Sequence, residues 1–446
     1  MNYRQYFKNK KVTVMGLGLL GRGLGDTVFL AKQGAELIVT DLKDKKELAP
    51  SLKKLKGFQN ITYVLGEHRL EDFRDRDFVL KAAGVPPDSP YIAEARKNGV
   101  PIEMSASLFA KLVPEDVIIV GITGTRGKST TTHLVHHILK TVGKRVHLGG
   151  NVEGISTLAL LPKVKAGDIV VLELDSWQLQ GFGESRLSPH IAVFTNFLSD
   201  HLNYYKGDMS MYFEDKANIF KFQTKEDVLI VGKQVIRYIV QLGLRSKVRG
   251  LLVEGGPLSK SWNMRLLGEH NRINAALAVE VGRILNIPEE RLRKAVASFK
   301  GLPGRLELLR TIRGIKIYND NNATTPDATI AALRTLGRKR SVVLIFGGTD
   351  KGLDMSGLVK EIGKQCKVAV LLREKGSERI KSILFKLRFV KSYEEETLKR
   401  CVRRAFASAK RGDIILFSPA FASFGKWFKN EYDRGRQFRK LVKRLK

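Results

Sequence analysis

Val117-Ile118-Ile119-Val120-Gly121-Ile122-Thr123-Gly124-Thr125-Arg126-Gly127-Lys128-Ser129-Thr130 carries an apolar, β-branched run into a glycine-rich turn that closes on Gly-Lys-Ser, and a helical pattern follows from Thr130 to Lys140. A strand, a turn of this composition and a helix, in that order, present backbone N–H groups and a helix N-terminus to phosphate oxygens. In such a loop Lys128 reaches the β/γ oxygens of a nucleoside triphosphate, and the Ser129 or Thr130 hydroxyl can ligate Mg²⁺. The strict form of the pattern has glycine six positions before the lysine, where this chain has Ile122. The core of the loop is instead Gly124-Thr125-Arg126-Gly127-Lys128-Ser129.

Upstream, Lys11–Met15 reads as a strand, Gly16-Leu17-Gly18-Leu19-Leu20-Gly21 as a tight turn, and a helix runs to about Gln33. A second strand, Glu36–Thr40, ends at Asp41. Taken alone, this βαβ unit with G-x-G-x-x-G and Asp41 reads as an NAD site, its acid binding a ribose, and the same geometry suits any nucleotide diphosphate. Downstream, strands are expected at Asp168–Leu174 and Ile191–Asn196, and a long helix at Asn271–Leu285. Further strands follow at Ile315–Tyr318, Ser341–Phe346, Val368–Leu372 and Asp413–Phe417, with helical patterns between them. Strands alternating with helices imply parallel sheets. Pro114 and the Gly301-Leu302-Pro303-Gly304 turn mark boundaries. The expected α/β organisation is three domains, residues 1–112, 113–304 and 305–446. The first and third are Rossmann-like, and the central one is a P-loop ATPase-like parallel sheet. Two phosphate-binding turns leave two options: a hydride-transfer enzyme with an ATPase module, or an ATP-driven ligase whose substrate carries its own nucleotide.

The 446 residues contain 78 Lys+Arg against 45 Asp+Glu, a net charge of +33. That balance favours anionic partners, nucleic acid or a phosphorylated small substrate. The densest basic stretch, Arg434 to Arg444, reads as the solvated face of a terminal helix, and no RNA-recognition or zinc-finger spacing accompanies it. No apolar run approaches the roughly 20 residues that span a bilayer, and the N-terminus lacks a signal-peptide core. Two cysteines, Cys366 and Cys401, are too few for a disulfide framework or metal cage. A cytoplasmic protein that engages no membrane is expected.

Several polar residues stand at strand ends. Glu173 closes an apolar strand, where a carboxylate can reach a metal beside the loop. Asp200 and His201 follow another strand and leave the sheet at the same edge. Lys216 lies on an expected helix, where alone it reads as a surface lysine. Asn271 and Asn274, at i and i+3, either bond a flat heterocycle or cap a helix.

Taken together these stretches resemble the Mur ligase superfamily over nearly the whole chain. The resemblance implies that Gly124, Thr125, Arg126, Gly127, Lys128, Ser129 and Thr130 form the ATP loop, with Arg126 in place of the usual asparagine. It implies Ser129, Glu173, His201 and a carbamoylated Lys216 as the Mg²⁺ site. It places Asn271 on the adenine side and Arg305, after Gly304 in place of the usual histidine, on the nucleotide phosphates. Tyr318-Asn319-Asp320-Asn321-Asn322-Ala323-Thr324 looks like the family's Asn-Asp-Ser-Lys-Ala-Thr stretch, with Asp320 kept and the Ser-Lys pair replaced. Gly347-Gly348-Thr349-Asp350-Lys351 and Ser418-Pro419-Ala420-Phe421-Ala422-Ser423 resemble the loops whose lysine and last serine hold the incoming amino acid. An aromatic also expected there falls on Phe424, Phe428 or Tyr432. Gly18, Leu19, Leu20, Asp41, Gly84 and Asn151 fall where the family binds its UDP substrate; Ala83-Gly84-Val85 replaces a usual Ser-Pro-Gly.

The implied activity is amide ligation in peptidoglycan precursor synthesis. ATP phosphorylates the carboxylate of UDP-N-acetylmuramoyl-L-alanine, and D-glutamate displaces phosphate from the acyl phosphate. Phosphoryl transfer of this kind asks for positioning and charge neutralisation. Lys128, His201, Lys216 and Asp320 are the expected catalytic residues, with His201 and Asp320 as candidate bases. A related ligase for L-glutamate or another amino acid is the alternative. Folylpolyglutamate synthase fits the ATP loop but not the first domain. An oxidoreductase would leave Glu173, His201 and Lys216 unused. A nucleic-acid-binding ATPase rests on charge alone and is disfavoured. A monomer is expected.

Overall fold

The structure is a computed structural model that describes residues 2–201, 204–338, 340–386, 391–423 and 427–446, side chains 375, 385 and 386 excepted. Three sheets organise it. The first contains β1 (Lys11–Met15), β2 (Glu36–Asp41), β3 (Ile61–Leu65), β4 (Phe78–Lys81) and β5 (Ile102–Glu103), in the order β3-β2-β1-β4-β5. All its pairings are parallel. The second contains β6 (Ile118–Thr123), β7 (Val146–Gly150), β8 (Ile169–Glu173), β9 (Ile191–Phe194), β10 (Val228–Gly232) and β11 (Leu251–Gly255), ordered β11-β10-β9-β6-β8-β7. It too is parallel throughout.

The third sheet contains β12 (Glu307–Ile312), β13 (Ile315–Asn319), β14 (Val342–Phe346), β15 (Cys366–Leu372), β16 (Lys391–Glu395) and β17 (Ile414–Phe417), ordered β12-β13-β17-β14-β15-β16. The four strands expected here are parallel, and β12, which the sequence reading does not include, adds to the edge antiparallel to β13. Ile312 pairs with Ile315, leaving a two-residue turn of Arg313 and Gly314 at φ 52° and 79°. Two successive positive φ values make the mirror-type turn whose twist suits a hairpin. The remaining pairs are parallel.

The chain divides into two compact units. One comprises Met1–Asn263 with Ile273–Ala297, the other Met264–Arg272 with Ser298–Lys446. In the first, a single apolar cluster joins Val12, Val14 and Leu37 of the first sheet with Leu172, Phe194 and Leu229 of the second. In the second, β14 shows the two-residue period of a strand covered on both faces. Val342, Leu344 and Phe346 enter one cluster, and Val343 and Ile345 the other.

Parallel sheets bring the sites to their carboxyl edges. β1 lies between β2 and β4, β6 between β8 and β9, and β17 between β13 and β14. Each trio delivers its following loops side by side. Among the described residues no helix is long and apolar enough to cross a membrane.

Candidate active site

In the first unit, the turn after β6 leads into a helix over Lys128–Thr141, which starts two residues before the expected Thr130. Gly124 has φ 140°, and a Cβ there would lie 2.0 Å from Thr195 Oγ1. Gly127 has φ 82°, and its Cβ would lie 2.2 Å from Asn274 Oδ1. Both positions therefore need glycine on conformation and on space.

The segment after β9 holds this loop along its length. Thr125 N donates to Asn196 O at 2.8 Å, and Arg126 N donates to Asn196 Oδ1 at 2.9 Å. Thr195 Oγ1 and Asn196 Nδ2 both donate to Arg126 O, at 2.6 and 3.1 Å. No sequence motif marks Asn196 and Thr195 as site residues. Their signal is position, since they directly follow the strand beside β6.

Ser129 Oγ donates to Glu173 Oε1 at 3.1 Å, where β8 ends beside the loop. Two hard oxygen donors at this spacing, at the helix N-terminus, fit Mg²⁺. Among the described residues no three His, Cys, Asp or Glu gather as a metal cage. His201 has φ 53°, its ring centroid lies 4.9 Å from that of Trp177, and its Nε2 is 3.9 Å from Asp200 Oδ2. Lys216, on the helix Met209–Ala217, is fully buried. Its Nζ donates to Gly124 O at 3.0 Å and lies 4.9 Å above the Tyr212 ring. Burial first, and the Lys128 charge second, hold its pKa well below that of an ordinary lysine. That favours the neutral amine, the form that adds CO₂. Lys128 Nζ donates to Gly124 O and Thr125 O at 3.0 and 3.3 Å.

After β1, Gly18 N donates to Asp41 Oδ2 and Lys43 N to Asp41 Oδ1, both at 2.9 Å. Asp41 thus braces the same turn in which the sequence pattern sets it against a ribose. Leu19 is exposed, Leu20 O accepts from Gly154 N at 3.1 Å, and Gly84 follows β4, the strand beside β1. Asn151 Oδ1 accepts from Arg22 Nη1, a partner that the sequence does not suggest.

In the second unit, Asp320 is buried just past β13. Ser418 Oγ donates to its Oδ2 at 2.8 Å, and Leu306 N to its Oδ1 at 3.1 Å. Burial outweighs these bonds and the Arg305 charge, and pushes its pKa up to about 7. Asn271 is buried, with Nδ2 donating to Leu267 O at 2.7 Å. The loops carrying Lys351 and Ser423 are joined, because Thr349 N donates to Ala422 O at 3.0 Å and Ala422 N to Thr349 O at 3.1 Å. Of the three candidate aromatics, Phe428 is buried among the core of this unit, and Phe424 lies outside the described residues.

The described sheets coincide with three family profiles. Residues 10–103 match the Mur ligase MurD-like N-terminal domain, 122–252 the Mur ligase middle domain, and 304–421 the Mur ligase glutamate ligase domain. A UDP-N-acetylmuramoylalanine--D-glutamate ligase from Borreliella afzelii is 36% identical, the match covering 98% of each chain. The chain belongs to the Mur ligase family, in its MurD-like branch.

Solved Mur ligases share the fold at lower identity. UDP-N-acetylmuramate-alanine ligase from Thermotoga maritima superposes with a TM-score of 0.63 at 20% identity, covering 97% of this chain and 99% of its own. The MurF ligase of the same organism, solved with ADP, gives 0.59 at 16%, covering 99% and 97%. Against the Mur ligase pattern the structure locates what replaces the Ser-Lys pair. Asn321 is buried and bonded by the Arg434 guanidinium, while Asn322 Nδ2 points to Pro303 O at 3.4 Å. The sequence marks Arg434 only as part of a basic terminal helix.

Proposed function

We propose that the chain is an ATP-dependent ligase that adds D-glutamate to UDP-N-acetylmuramoyl-L-alanine in peptidoglycan precursor synthesis. The observation that carries this reading is the Gly124–Ser129 loop with Glu173 against Ser129, in a chain 36% identical to a D-glutamate ligase along 98% of its length. Residues 1–112, 113–304 and 305–446 are its substrate, ATP and amino-acid domains.

Gly124, Thr125, Arg126, Gly127, Lys128, Ser129 and Thr130 hold ATP, with Asn271 and Arg305 as further nucleotide ligands. Gly18, Leu19, Leu20, Asp41, Gly84 and Asn151 take the UDP substrate; Lys351 and Ser423 take the amino acid. Ser129, Glu173, His201 and Lys216, the last as its carbamate, would hold Mg²⁺, which supplies charge neutralisation on the phosphoryl oxygens.

The substrate carboxylate attacks the γ-phosphorus, ADP leaves, and an acyl phosphate forms. Lys128 offsets the charge that builds on the departing β,γ-bridging oxygen. The amine of D-glutamate then attacks the acyl carbon, inorganic phosphate departs, and the amine proton passes to a base. His201 and Asp320 are the candidate bases. Asp320, with its pKa at about 7, suits proton transfer near neutrality. The enzyme acts as a cytoplasmic monomer on free substrates, without nucleic acid.

The test is phosphate release from ATP and Mg²⁺ with UDP-N-acetylmuramoyl-L-alanine, comparing D- with L-glutamate. Release with D-glutamate is expected. Release with L-glutamate alone would select the related ligase, and release with neither would overturn both.

A further inference from the structure

The Arg126 backbone is clamped between Thr195 and Asn196, so its side chain leaves the loop in a fixed direction. Nη1 donates to Asp200 Oδ2 at 2.8 Å and to Thr125 O at 3.1 Å. Nε and Nη2 are both out of solvent, and neither has a hydrogen-bond partner among the described residues. These two atoms form one edge of the guanidinium, a fork matched to two oxygens of a phosphate or carboxylate. A buried donor pair without an acceptor is costly, and such pairs persist where a ligand completes them.

The charge balance at the loop points the same way. Arg126 Nη1 and Lys128 Nζ share the carbonyl of Thr125, at 3.1 and 3.3 Å. Asp200 pairs with the Nη1 side of Arg126 and fixes the plane of the guanidinium, and Glu173 and Asp175 act on Lys128 through space. The Nε/Nη2 edge of Arg126 is therefore the part of this cluster that no carboxylate bonds among the described residues.

We propose that Arg126 is a catalytic residue that grips the transferring γ-phosphoryl group of ATP through its Nε/Nη2 edge, with Asp200 as the residue that positions it. This rests on the ATP-ligase reading and deepens it. The usual asparagine at this position offers two neutral donors; Arg126 adds a charge that follows the phosphoryl group from ATP to the acyl phosphate. The contact is absent in ADP, because the group it holds has left.

The experiment is calorimetric titration of the full chain with Mg²⁺-ADP and with Mg²⁺-adenylyl imidodiphosphate, for wild type, Arg126→Lys and Arg126→Asn. Steady-state kcat and the KM for ATP are measured alongside. For Arg126→Asn, affinity for the imido analogue is expected to fall about 10- to 100-fold while ADP affinity changes by less than about threefold. kcat should drop on the order of 100-fold or more. Arg126→Lys should recover part of the analogue affinity and little of kcat, since an ammonium supplies charge without the fork. Equal weakening of both nucleotides would make Arg126 a brace of the loop and overturn the proposal. So would Arg126→Asn retaining wild-type discrimination. If wild type binds neither nucleotide, the ATP reading itself falls, and the proposal with it.

Discussion

Arg434 Nε donates to Asn321 Oδ1 at 2.8 Å and Nη2 donates to the Asn321 carbonyl at 3.0 Å, so one guanidinium holds both the side chain and the backbone of a single residue. Nη1 reaches Phe421 O and Ala422 O, each at 3.3 Å. Arg434 is fully buried, and desolvation lowers its pKa to about 10. All four bonds go to neutral oxygens. The arginine therefore ties the loop after β13 to the loop after β17, and among the described residues no carboxylate bonds it, Glu431 acting on its charge only through space. The Ser-Lys pair usual in the family is absent here, and Arg434 supplies a cation beside the same loop.

Arg434→Met is expected to destabilise the chain by on the order of 2–4 kcal/mol, because buried acceptors lose their donors in two loops at once. The KM for D-glutamate should rise more than the KM for ATP, since the loops it joins carry Ser423 and, through Thr349, Lys351. Arg434→Lys should keep the charge yet lose the bidentate hold on Asn321, and so recover little of either. Urea denaturation and the two KM values check this. Unchanged stability with an unchanged D-glutamate KM would remove Arg434 from the site.

Much of the fold is legible in local signals of the chain. The turns after β1 and β6 follow from glycine spacing, and strands such as β8 read as unbroken apolar runs because both faces are covered. The third sheet's reversal is not legible, because Arg313-Gly314 is a hairpin turn without the Asn-Gly or Asp-Gly that marks one. Arg434 is hidden for another reason. Its helix carries Arg436, Arg439, Lys440 and Lys443, and composition cannot tell the one inward arginine from the solvated ones. Arg22 meets Asn151 from 129 positions away, a contact no local pattern encodes.

Asp320 gives the second unit a stability that depends on pH with a definite sign. Its pKa is about 7 folded against an ordinary 3.8, so between those values the folded state keeps a proton that the unfolded state has released. Stability therefore falls as pH rises from about 4 to about 7, by up to on the order of 4 kcal/mol for a fully buried group. Asp320→Asn keeps the shape without the titration. The difference in unfolding free energy between variant and wild type should move in the variant's favour across that window and flatten above it. A difference that stays constant with pH would mean that Asp320 is ionised in the folded chain.

Gly124→Ala and Gly127→Ala test whether the loop's conformation, and not only its composition, carries nucleotide binding. An alanine at φ 140° or 82° is strained by roughly 1–2 kcal/mol. Its Cβ would also strike Thr195 Oγ1 or Asn274 Oδ1 at distances no real contact shows. Either variant should lose ADP affinity by about 100-fold or more while retaining a folded chain by circular dichroism, because the clash displaces the donors that face the phosphates. The helix over Lys128–Thr141 packs Leu134, Val135, Ile138 and Leu139 into the core and should persist. Wild-type ADP affinity in Gly127→Ala would place the phosphates elsewhere.

Asn196 should behave differently from its neighbour across the loop. It touches Arg126 only through backbone atoms, accepting from N and donating to O, so it shapes the loop without offering a group to the γ-phosphate. Asn196→Ala removes two hydrogen bonds worth about 1 kcal/mol each. Thr195 Oγ1 still holds the Arg126 carbonyl, but the released Arg126 N–H lets the loop sample other conformations, so the cost falls on every phosphate the loop holds. Affinity should drop roughly tenfold or more for ADP and for adenylyl imidodiphosphate alike. The same pair of titrations that separates the two nucleotides in Arg126→Asn should therefore move them together in Asn196→Ala. A selective loss of the imido analogue in Asn196→Ala would mean that the backbone clamp, and not the guanidinium edge, sets the discrimination.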